Sequence, residues 1–421
     1  MNNYLIKNTQ IVNEGKIIQG EVLIKNGRIE KIASQIETKE AITEINAENQ
    51  FLIPGAIDDQ VHFREPGLTH KATIYSEAKA AVAGGVTSFM EMPNTLPPVF
   101  TQTLLEDKYQ IGAKNSLANY SFYMGSSQDN IEEILKTNKK KNEVCGVKIF
   151  MGSSTGNLLV DNPLVLEKIF GGSELLIATH CEEEGLIKKN KAALEAVKPH
   201  LEASDARLHI LHISTANELQ LFSNLRDLVD KKITAEVCVH HLHFTSNDYA
   251  QLGNLIKCNP AIKAPDNKNA LWEALLNNQL DVIATDHAPH TWSEKNEPYA
   301  QAHAGLPLIQ HGLMLMLKYV EEGKWTMEKM VEKMSHAVAT CFQIKDRGFI
   351  REGYHADLVL LKKAPYTVNK ENILYHCGWS PFEGVRFPYQ IHSTFVNGFK
   401  AYHEGQFNEA QKGHRLQFTR S

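Results

Sequence analysis

Residues 58–67, DDQVHFREPG, place an acid, an imidazole and a guanidinium directly after the apolar run FLIPGAI. Such a run, bounded by turn residues, predicts a buried strand. Because successive side chains on a strand point to opposite faces, Asp58, Gln60 and His62 are expected to point the same way. Imidazole and carboxylate bind metal ions and Arg64 can hold an anion, so this strand end predicts a metal site beside an anion site. The alternative is a polar strand end followed by a surface turn.

Further side chains capable of acid–base or metal chemistry follow at the ends of other predicted strands. Lys148 lies in GVKIF, His180 ends ATH, His212 lies in LHIS and Asp286 in ATDHAPH. In a (β/α)8 barrel, catalytic groups come from the carboxyl ends of several strands, so this recurrence indicates one active site. Imidazole and carboxylate suit zinc with one position open to water. The Lys148 ammonium cannot bind a cation; a buried salt bridge and carboxylation by CO2 to an anionic carbamate both stay open.

The order of the predicted elements favours a barrel. Helical stretches, for example at 71–84, 215–229 and 267–278, separate most of the strands, and helices at 307–321 and 326–343 would close the barrel side. This alternation predicts an α/β fold with a (β/α)8 TIM-like barrel. The alternative, an open doubly wound sheet for a dinucleotide, is disfavoured because no Gly-x-Gly-x-x-Gly follows the first strand. The predicted strands are 51–62, 86–92, 119–125, 144–150, 175–181, 207–213, 233–242 and 281–288.

The two ends of the chain predict a second, smaller unit. EVLIKNGRIEKIA alternates around Asn26-Gly27, and STFVNGFKAYHEG carries Asn397-Gly398. Asn-Gly between alternating residues is typical of a two-residue hairpin. We therefore predict a composite β-sandwich domain from residues 1–50 and 351–421, and a metal-dependent barrel from residues 51–350.

Composition disfavours several classes of function. A net charge of −5 and a pI near 6.4 favour neither nucleic acid nor an anionic membrane as partner. No apolar run is long enough to cross a bilayer, and the start, MNNYLIKNTQIV, lacks the pattern of a signal peptide. The six cysteines are scattered without Cys-x-x-Cys pairs, which is typical of reduced thiols. We expect a cytoplasmic protein with a small-molecule substrate.

Taken together, these segments resemble the amidohydrolase superfamily and, within its cyclic amidase group, the dihydroorotases. The family's first motif is Asp-x-His-x-His-x-Arg-Glu-Pro-Gly, and residues 58–67 match it except at Gln60. The resemblance implies a carboxylated, metal-bridging Lys148, with a metal-supporting role for Asp58. It implies that Asp286 is both a ligand and the catalytic proton shuttle. The metal ligands it implies are His62, Lys148, His180, His212 and Asp286.

The substrate side of the resemblance lies in three further segments. MEMPNT, KCNPAIK and TDHAPH carry Asn94, Asn259 and His290, which with Arg64 are implied to bind the substrate. The implied activity is the reversible, zinc-dependent cyclisation of N-carbamoyl-L-aspartate to L-dihydroorotate in pyrimidine (UMP) biosynthesis. The alternatives are another cyclic amidase, a hydantoinase or allantoinase, and a non-catalytic dihydroorotase-like partner of aspartate transcarbamoylase.

One position departs from the family's motif. Gln60 stands where the motif has its first histidine, and an amide oxygen is a poorer zinc ligand than imidazole. The resemblance implies one or two zinc ions per chain, and the departure favours one tight site. A homo-oligomer, most simply a dimer, and association with aspartate transcarbamoylase are also expected.

Two interpretations concern the remaining histidines. His240 and His241 are expected to be structural, while His287 and His303 are not assigned. His303 falls in the segment 290–305, which is too long for a plain connector and predicts an active-site loop.

Overall fold

Parallel strands at eight positions form a barrel. The structure is a computed structural model, and it describes residues 3–39, 41–151, 158–180 and 206–420. Neighbouring strands pair in parallel around the barrel. A parallel bridge between Val61 and His287 closes it, and Asn119–Phe122 and Met124–Gly125 together make the third position. The barrel strands are β6 (Ala56–Val61), β7 (Val86–Glu91), β8 (Asn119–Phe122), β9 (Met124–Gly125), β10 (Val147–Phe150), β11 (Ile177–His180), β12 (Leu208–Ile210), β13 (Ile233–Cys238) and β14 (Val282–Ala284).

Helices cover the outside of the barrel and connect its strands. The helix predicted over 71–84 is Ile74–Ala83 in the structure, and it begins after Thr73 because the Thr73 side chain accepts the backbone N–H of Ser76. Within the described residues, the α-helices are Ile74–Ala83, Gln102–Asn115, Ile131–Lys136, Pro163–Gly172, Ala216–Leu219, Val239–His243, Tyr249–Leu252, Pro265–Leu276, Trp292–Lys295, Gly312–Glu321, Met327–Val331 and Ala337–Phe342. Short 3-10 turns lie at Thr137–Lys140, Leu228–Asp230, Ser246–Asp248 and Gly253–Ile256, and a π-helical turn at Glu332–His336.

Strands from both ends of the chain form one nine-stranded sheet, in which Leu358–Lys362 pairs with Phe51–Pro54. Both predicted Asn-Gly hairpins are confirmed, because Asn26, Gly27, Asn397 and Gly398 all have positive φ and join antiparallel strands. The sheet strands are β1 (Tyr4–Asn13), β2 (Lys16–Lys25), β3 (Arg28–Ala33), β4 (Thr43–Asn46), β5 (Phe51–Pro54), β15 (Leu358–Lys362), β18 (Gln390–Val396), β19 (Phe399–His403) and β20 (Gln406–Phe407). A separate pair is β16 (Tyr366–Thr367) with β17 (Arg386–Phe387).

The predicted first barrel strand, 51–62, is two strands in the structure. Residues of β5 pair with β1 and β15 in the nine-stranded sheet, and only β6 enters the barrel. Gly55 separates them, and a Cβ at this position would lie 2.1 Å from Oγ1 of Thr87, so only glycine allows this close passage. The division into domains at residues 50/51 and 350/351 stays a prediction.

Two further predictions on secondary structure are wrong. The predicted helix 215–229 ends after Leu219, and Leu225 is 89% exposed. Polar side chains compete there with helical hydrogen bonding, since Oγ of Ser223 accepts the backbone N–H of Leu225 at 3.2 Å. The predicted strand 233–242 ends at Cys238, and His240 and His241 lie in a short helix. The last residue of the predicted strand 175–181 lies outside the described residues.

Most apolar residues between the barrel strands and the surrounding helices form one large core. A second core joins barrel-strand residues such as Ile57, Met90 and Ala178 to the helix Ala337–Phe342, and the nine-stranded sheet has a smaller core of its own. Among the described residues, no helix is long and apolar enough to span a membrane.

Candidate active site

A cavity of about 340 Å³ opens where the barrel strands end, and most of the predicted site residues line it. Because the carboxyl ends of all barrel strands meet at one rim, residues distant in sequence become neighbours there. Asp58, the one predicted residue outside the lining, is buried. The predicted residues in the lining are Gln60, His62, Arg64, Asn94, Lys148, His180, His212, Asn259, Asp286 and His290.

Three of these residues adopt left-handed backbone conformations just after their strands. The φ angles are +68° at Arg64, +41° at His212 and +48° at Asp286, two or three residues beyond the ends of β6, β12 and β14. Non-glycine residues rarely adopt this conformation, which costs about 1–3 kcal/mol each. Such strain persists only where the surrounding structure holds it, and it commonly occurs at functional sites.

His62 faces Asp286 at the floor of the cavity. Nδ1 of His62 lies 2.8 Å from Oδ1 of Asn94, and because a carbonyl oxygen only accepts, Nδ1 carries the proton and donates. Nε2 of His62 is then a bare acceptor, and it lies 3.1 Å from Oδ1 of Asp286, another acceptor. Two acceptors at this distance repel unless a cation or a proton relieves them. This corner is therefore suited to a cation.

His180 and His212 form a second pair beside Lys148. Nδ1 of His180 lies 2.7 Å from Nε2 of His212. Burial lowers the pKa of His180 to about 3, with a further contribution from the Lys148 charge, and burial also holds the pKa of His212 well below its usual range. Both imidazoles are neutral at pH 7, which is the form that binds metals. Nζ of the buried Lys148 lies 4.6 Å from the ring centroid of Phe150.

Asp58 and Glu236 accept hydrogen bonds from backbone N–H groups of residues beside the cavity. Asp58 accepts the hydroxyl of Thr285 at 2.5 Å and the backbone N–H groups of Thr285 and Gln60 at 3.2 and 3.3 Å. Glu236 accepts the backbone N–H of His212 at 3.0 Å. Burial raises the pKa of Glu236 to about 7 and that of Asp58 well above its usual range. These bonds connect the turns after β12 and β14 to the barrel interior.

Arg64 and His290 form another part of the wall. Arg64 is 8% exposed, its Nε donates to the carbonyl of Pro289 at 3.1 Å, and a terminal nitrogen lies 3.0 Å from Nε2 of His290. Within the described part of the chain, its ion pairs and hydrogen bonds include no carboxylate. Burial lowers its pKa to about 10, so it stays charged at pH 7. A buried cation of this kind is stabilised by an anion from a ligand.

Comparison with known proteins identifies the family. The model of the amidohydrolase family matches residues 51–400, which is most of the chain.

The chain belongs to the amidohydrolase family.

Its relatives confirm the resemblance predicted from the motifs. The dihydroorotase of Pyrococcus abyssi is 31% identical over 96% of this chain and 96% of its own length. The dihydroorotase of Pyrococcus furiosus is 30% identical over 97% of this chain and 96% of its own. That of Listeria welshimeri is 30% identical over 96% of this chain and 99% of its own. The amidohydrolase is thus an enzyme of the cyclic amidase type.

Solved structures confirm the predicted fold class. The L-hydantoinase of Arthrobacter aurescens superposes with a TM-score of 0.92 at 23% identity, covering 99% of this chain and 100% of its own. The dihydropyrimidinase of Brevibacillus agri superposes with a TM-score of 0.85 at 20% identity, covering both chains fully. At such identities the likeness concerns the fold alone: a barrel with a β-sandwich domain.

The donors in the cavity of this amidohydrolase fit a metal ion. Neutral imidazoles at His180 and His212, the bare Nε2 of His62 and the carboxylate of Asp286 are groups that zinc-type ions take. Gln60 differs, because its Nε2 donates to Oδ1 of Asp286 at 3.1 Å. In this orientation its oxygen is directed to Cys238, with Sγ at 4.0 Å, and not to the metal corner.

Three other buried histidines of the amidohydrolase, His209, His287 and His241, contact polar groups outside the cavity lining. Nε2 of His209 lies 3.1 Å from Asp59 and 3.8 Å from Glu236, so His209 and these two carboxylates form a buried ion-pair cluster. Nε2 of His287 lies 2.9 Å from Glu77. Nε2 of His241 lies 2.9 Å from the carbonyl of Pro260, and both His240 and His241 are buried. The structural role expected for His240 and His241 stays a prediction.

Part of the cavity wall carries no signal in the sequence. Phe150, Ala304 and Gly305 line the cavity together with His303, so the end of the predicted loop 290–305 reaches the site. Lys295 holds this end, because its buried Nζ donates to the carbonyls of Lys257, His303 and Gly305 at 3.2, 2.9 and 3.0 Å. A lysine in a polar loop is typical of a solvated surface, so no sequence signal distinguishes Lys295.

Proposed function

We propose that this amidohydrolase is a dihydroorotase that interconverts N-carbamoyl-L-aspartate and L-dihydroorotate in pyrimidine biosynthesis. The observation that carries the proposal is Arg64, a buried guanidinium at the cavity without a carboxylate partner among the described residues. A neutral cyclic amide would leave this cation unpaired, whereas the carboxylate of dihydroorotate can pair with it in bidentate fashion. The dihydroorotases aligned over nearly the whole chain support the same substrate.

The proposed metal is zinc, with His180, His212 and a carbamate on Lys148 as the tighter ligand set. His62 and Asp286 would hold a second, weaker position. Bound zinc would supply Lewis acidity toward the ring carbonyl and lower the pKa of water to about 7. Carboxylation would change Lys148 from a cation that repels a metal into an anion with two ligand oxygens. Since Gln60 donates to Asp286 instead of offering an imidazole, one zinc per chain is favoured.

Asp286 is proposed as the general base and acid of the reaction. Its Oδ1 accepts from Gln60, which restricts the carboxylate at the cavity floor. In hydrolysis Asp286 would take a proton from water and deliver it to the leaving ring nitrogen, and cyclisation would reverse these transfers. Arg64, Asn94, Asn259 and His290 are proposed to bind the substrate. Asn94 directs its oxygen to His62, so its amide N–H groups are the part available to a carboxylate.

The test is turnover of carboxylated against neutral rings by the zinc-loaded protein. We expect hydrolysis of L-dihydroorotate, and its formation from carbamoyl aspartate at lower pH. Hydantoin, dihydrouracil and allantoin share the cyclic amide but lack the carboxylate, and kcat/KM for them should be at least about tenfold lower. Equal or better turnover of a neutral ring would replace this proposal by the hydantoinase or allantoinase alternative.

The remaining proposals concern location and assembly. We propose a cytoplasmic enzyme that forms a homodimer, which light scattering of the purified protein would measure. Association with aspartate transcarbamoylase is a further proposal, and co-purification of the two proteins at matched concentrations would test it.

A further inference from the structure

Lys71 and Glu294 form an ion pair behind His290, outside the cavity lining. Nζ of Lys71 lies 2.9 Å from Oε1 of Glu294 and 3.2 Å from Nδ1 of His290. Glu294 is itself held, because its carboxylate accepts the backbone N–H of Thr291 at 2.9 Å. Lys71 is 6% exposed, so its ammonium is fixed against the side of the ring that faces away from Arg64.

The contacts of His290 select one tautomer. An ammonium can only donate, so Lys71 requires a bare acceptor at Nδ1. The carbonyl of Ala304 lies 3.0 Å from Nε2 and requires a proton there. Burial and the charges of Arg64 and Lys71 hold the pKa of His290 far below its usual range, so the ring carries a single proton. A proton on Nε2 satisfies two contacts, whereas a proton on Nδ1 satisfies only the contact with Arg64.

Glu294 does not reverse this preference. Its Oε2 lies 3.7 Å from Nδ1 of His290, beyond hydrogen-bond distance, while its Oε1 pairs with Lys71. The carboxylate therefore acts on the ring through the lysine and not directly.

The contact left unsatisfied is the one between Arg64 and His290. With the proton on Nε2, two N–H donors face each other, and their nitrogens are 3.0 Å apart. Donors at this separation repel, and an anionic oxygen that accepts from both relieves the repulsion. The ligand-free protein thus keeps two donors together at the place where an anion would bind.

We propose that Lys71, held by Glu294, is a positioning residue that fixes His290 as its Nε2–H tautomer, so that His290 and Arg64 jointly bind the substrate's carboxylate. The identity of the carboxylate substrate rests on the proposed function, but the tautomer is a property of the protein without substrate. Lys71 transfers no proton and makes no covalent bond in this role.

The first experiment measures the tautomer of His290 and needs no activity assay. Imidazole-15N-labelled, zinc-loaded protein is studied by two-bond 15N–1H correlation, and the His290 signals are assigned by their loss in His290→Asn. We expect the Nε2–H pattern in the wild type, and loss or mixing of that pattern in Lys71→Met. Lys71→Arg keeps a cationic donor and should restore it. The matched control is Lys79→Met, because Lys79 pairs with Glu409 at the same 2.9 Å and its hydrogen-bond partners, Tyr75 and Glu409, are not residues of the cavity lining.

The second experiment separates KM from kcat. In Lys71→Met, KM for L-dihydroorotate should rise roughly three- to tenfold with kcat changed less than about twofold, since one net hydrogen bond is weakened. KM for a neutral cyclic amide should not change, and Lys71→Arg should be close to wild type. A merely structural defect would lower kcat for both kinds of ring, and that result would overturn the proposal.

The two readouts distinguish the inference from the proposed function. An unchanged His290 tautomer in Lys71→Met would overturn the positioning role, whatever the kinetics. A changed tautomer in a protein that does not turn over dihydroorotate would refute the proposed substrate and leave the control of His290 by Lys71 supported. If Lys71→Met did not fold, Glu294→Gln would test the ion pair that holds the ammonium against Nδ1 of His290. Loss or mixing of the Nε2–H pattern is expected in this variant, and an unchanged pattern would overturn the positioning role.

Discussion

Arg64→Met replaces a buried cation by an apolar side chain of similar length, and it is expected to change activity and stability in opposite directions. Hydrogen bonds to charged groups contribute about 1.5–3 kcal/mol, which corresponds to a rise in KM for dihydroorotate of roughly 10- to 150-fold. On the proposed function, Arg64 would bind the carboxylate equally in the ground state and the transition state, so kcat should change little. Steady-state kinetics with dihydroorotate and a neutral cyclic amide measure this, and only the carboxylated ring should be affected.

The effect on stability follows from the cost of burying the guanidinium. Burial lowers the pKa of Arg64 from 12.5 to about 10, and at about 1.4 kcal/mol per pKa unit the charged form is disfavoured in the folded state by about 3 kcal/mol. At pH 7 the group is charged in both states, so the whole cost is present. Methionine removes it but loses the bond to the Pro289 carbonyl, so the free energy of unfolding should rise by about 1–3 kcal/mol.

Urea unfolding of metal-free wild type and variant at pH 7 measures the difference. Arg351→Met is the control, because Arg351 is 41% exposed and pairs with Glu14 at the surface. It should change the free energy of unfolding by less than about 1 kcal/mol. The reasoning is refuted if Arg64→Met leaves KM within about twofold of wild type, or if it leaves the free energy of unfolding unchanged or lowers it.

Three further predictions concern Lys148, Gln60 and Lys295. Lys148→Ala should lose activity, and small carboxylic acids should partly restore it; an unmodified Lys148 in mass analysis of the active native protein would contradict the carbamate. Zinc content should be closer to one than two ions per chain and should rise in Gln60→His at matched free zinc, so two ions in the wild type that resist mild chelation would contradict the role given to Gln60. Burial lowers the pKa of Lys295 from 10.5 to about 7, so the unfolded chain binds more protons between these pH values and this group makes stability rise with pH there. The stability of wild type relative to Lys295→Met should therefore increase from pH 7 to pH 9, by up to about 1.4 kcal/mol per pH unit, and a flat difference in urea unfolding would contradict it.

Local patterns in the sequence were sufficient for the barrel and for several of the residues that line its cavity. Strand periodicity and turn residues act over a few neighbours, so the positions of His62, His180 and Asp286 at strand ends can be read directly. The Asn-Gly hairpins were equally readable, since their backbone conformation depends on two adjacent residues. The same local patterns failed at 215–229. There the apolar side chain of Leu225 is exposed, and Oγ of Ser223 accepts the backbone N–H of Leu225 in place of a helical carbonyl.

Tertiary structure alone decided which of these residues contact each other and in what chemical state. The orientation of the Gln60 amide is one example: its Nε2 donates to Asp286, and its oxygen lies 4.0 Å from Sγ of Cys238, which is on a different strand. The tautomer of His290 depends on Lys71 and Ala304, which lie 219 and 14 residues away along the chain. Proton positions, pKa values and donor–acceptor matches are set by atoms within about 3 Å, and such neighbours are brought together by the fold and not by adjacency in the chain.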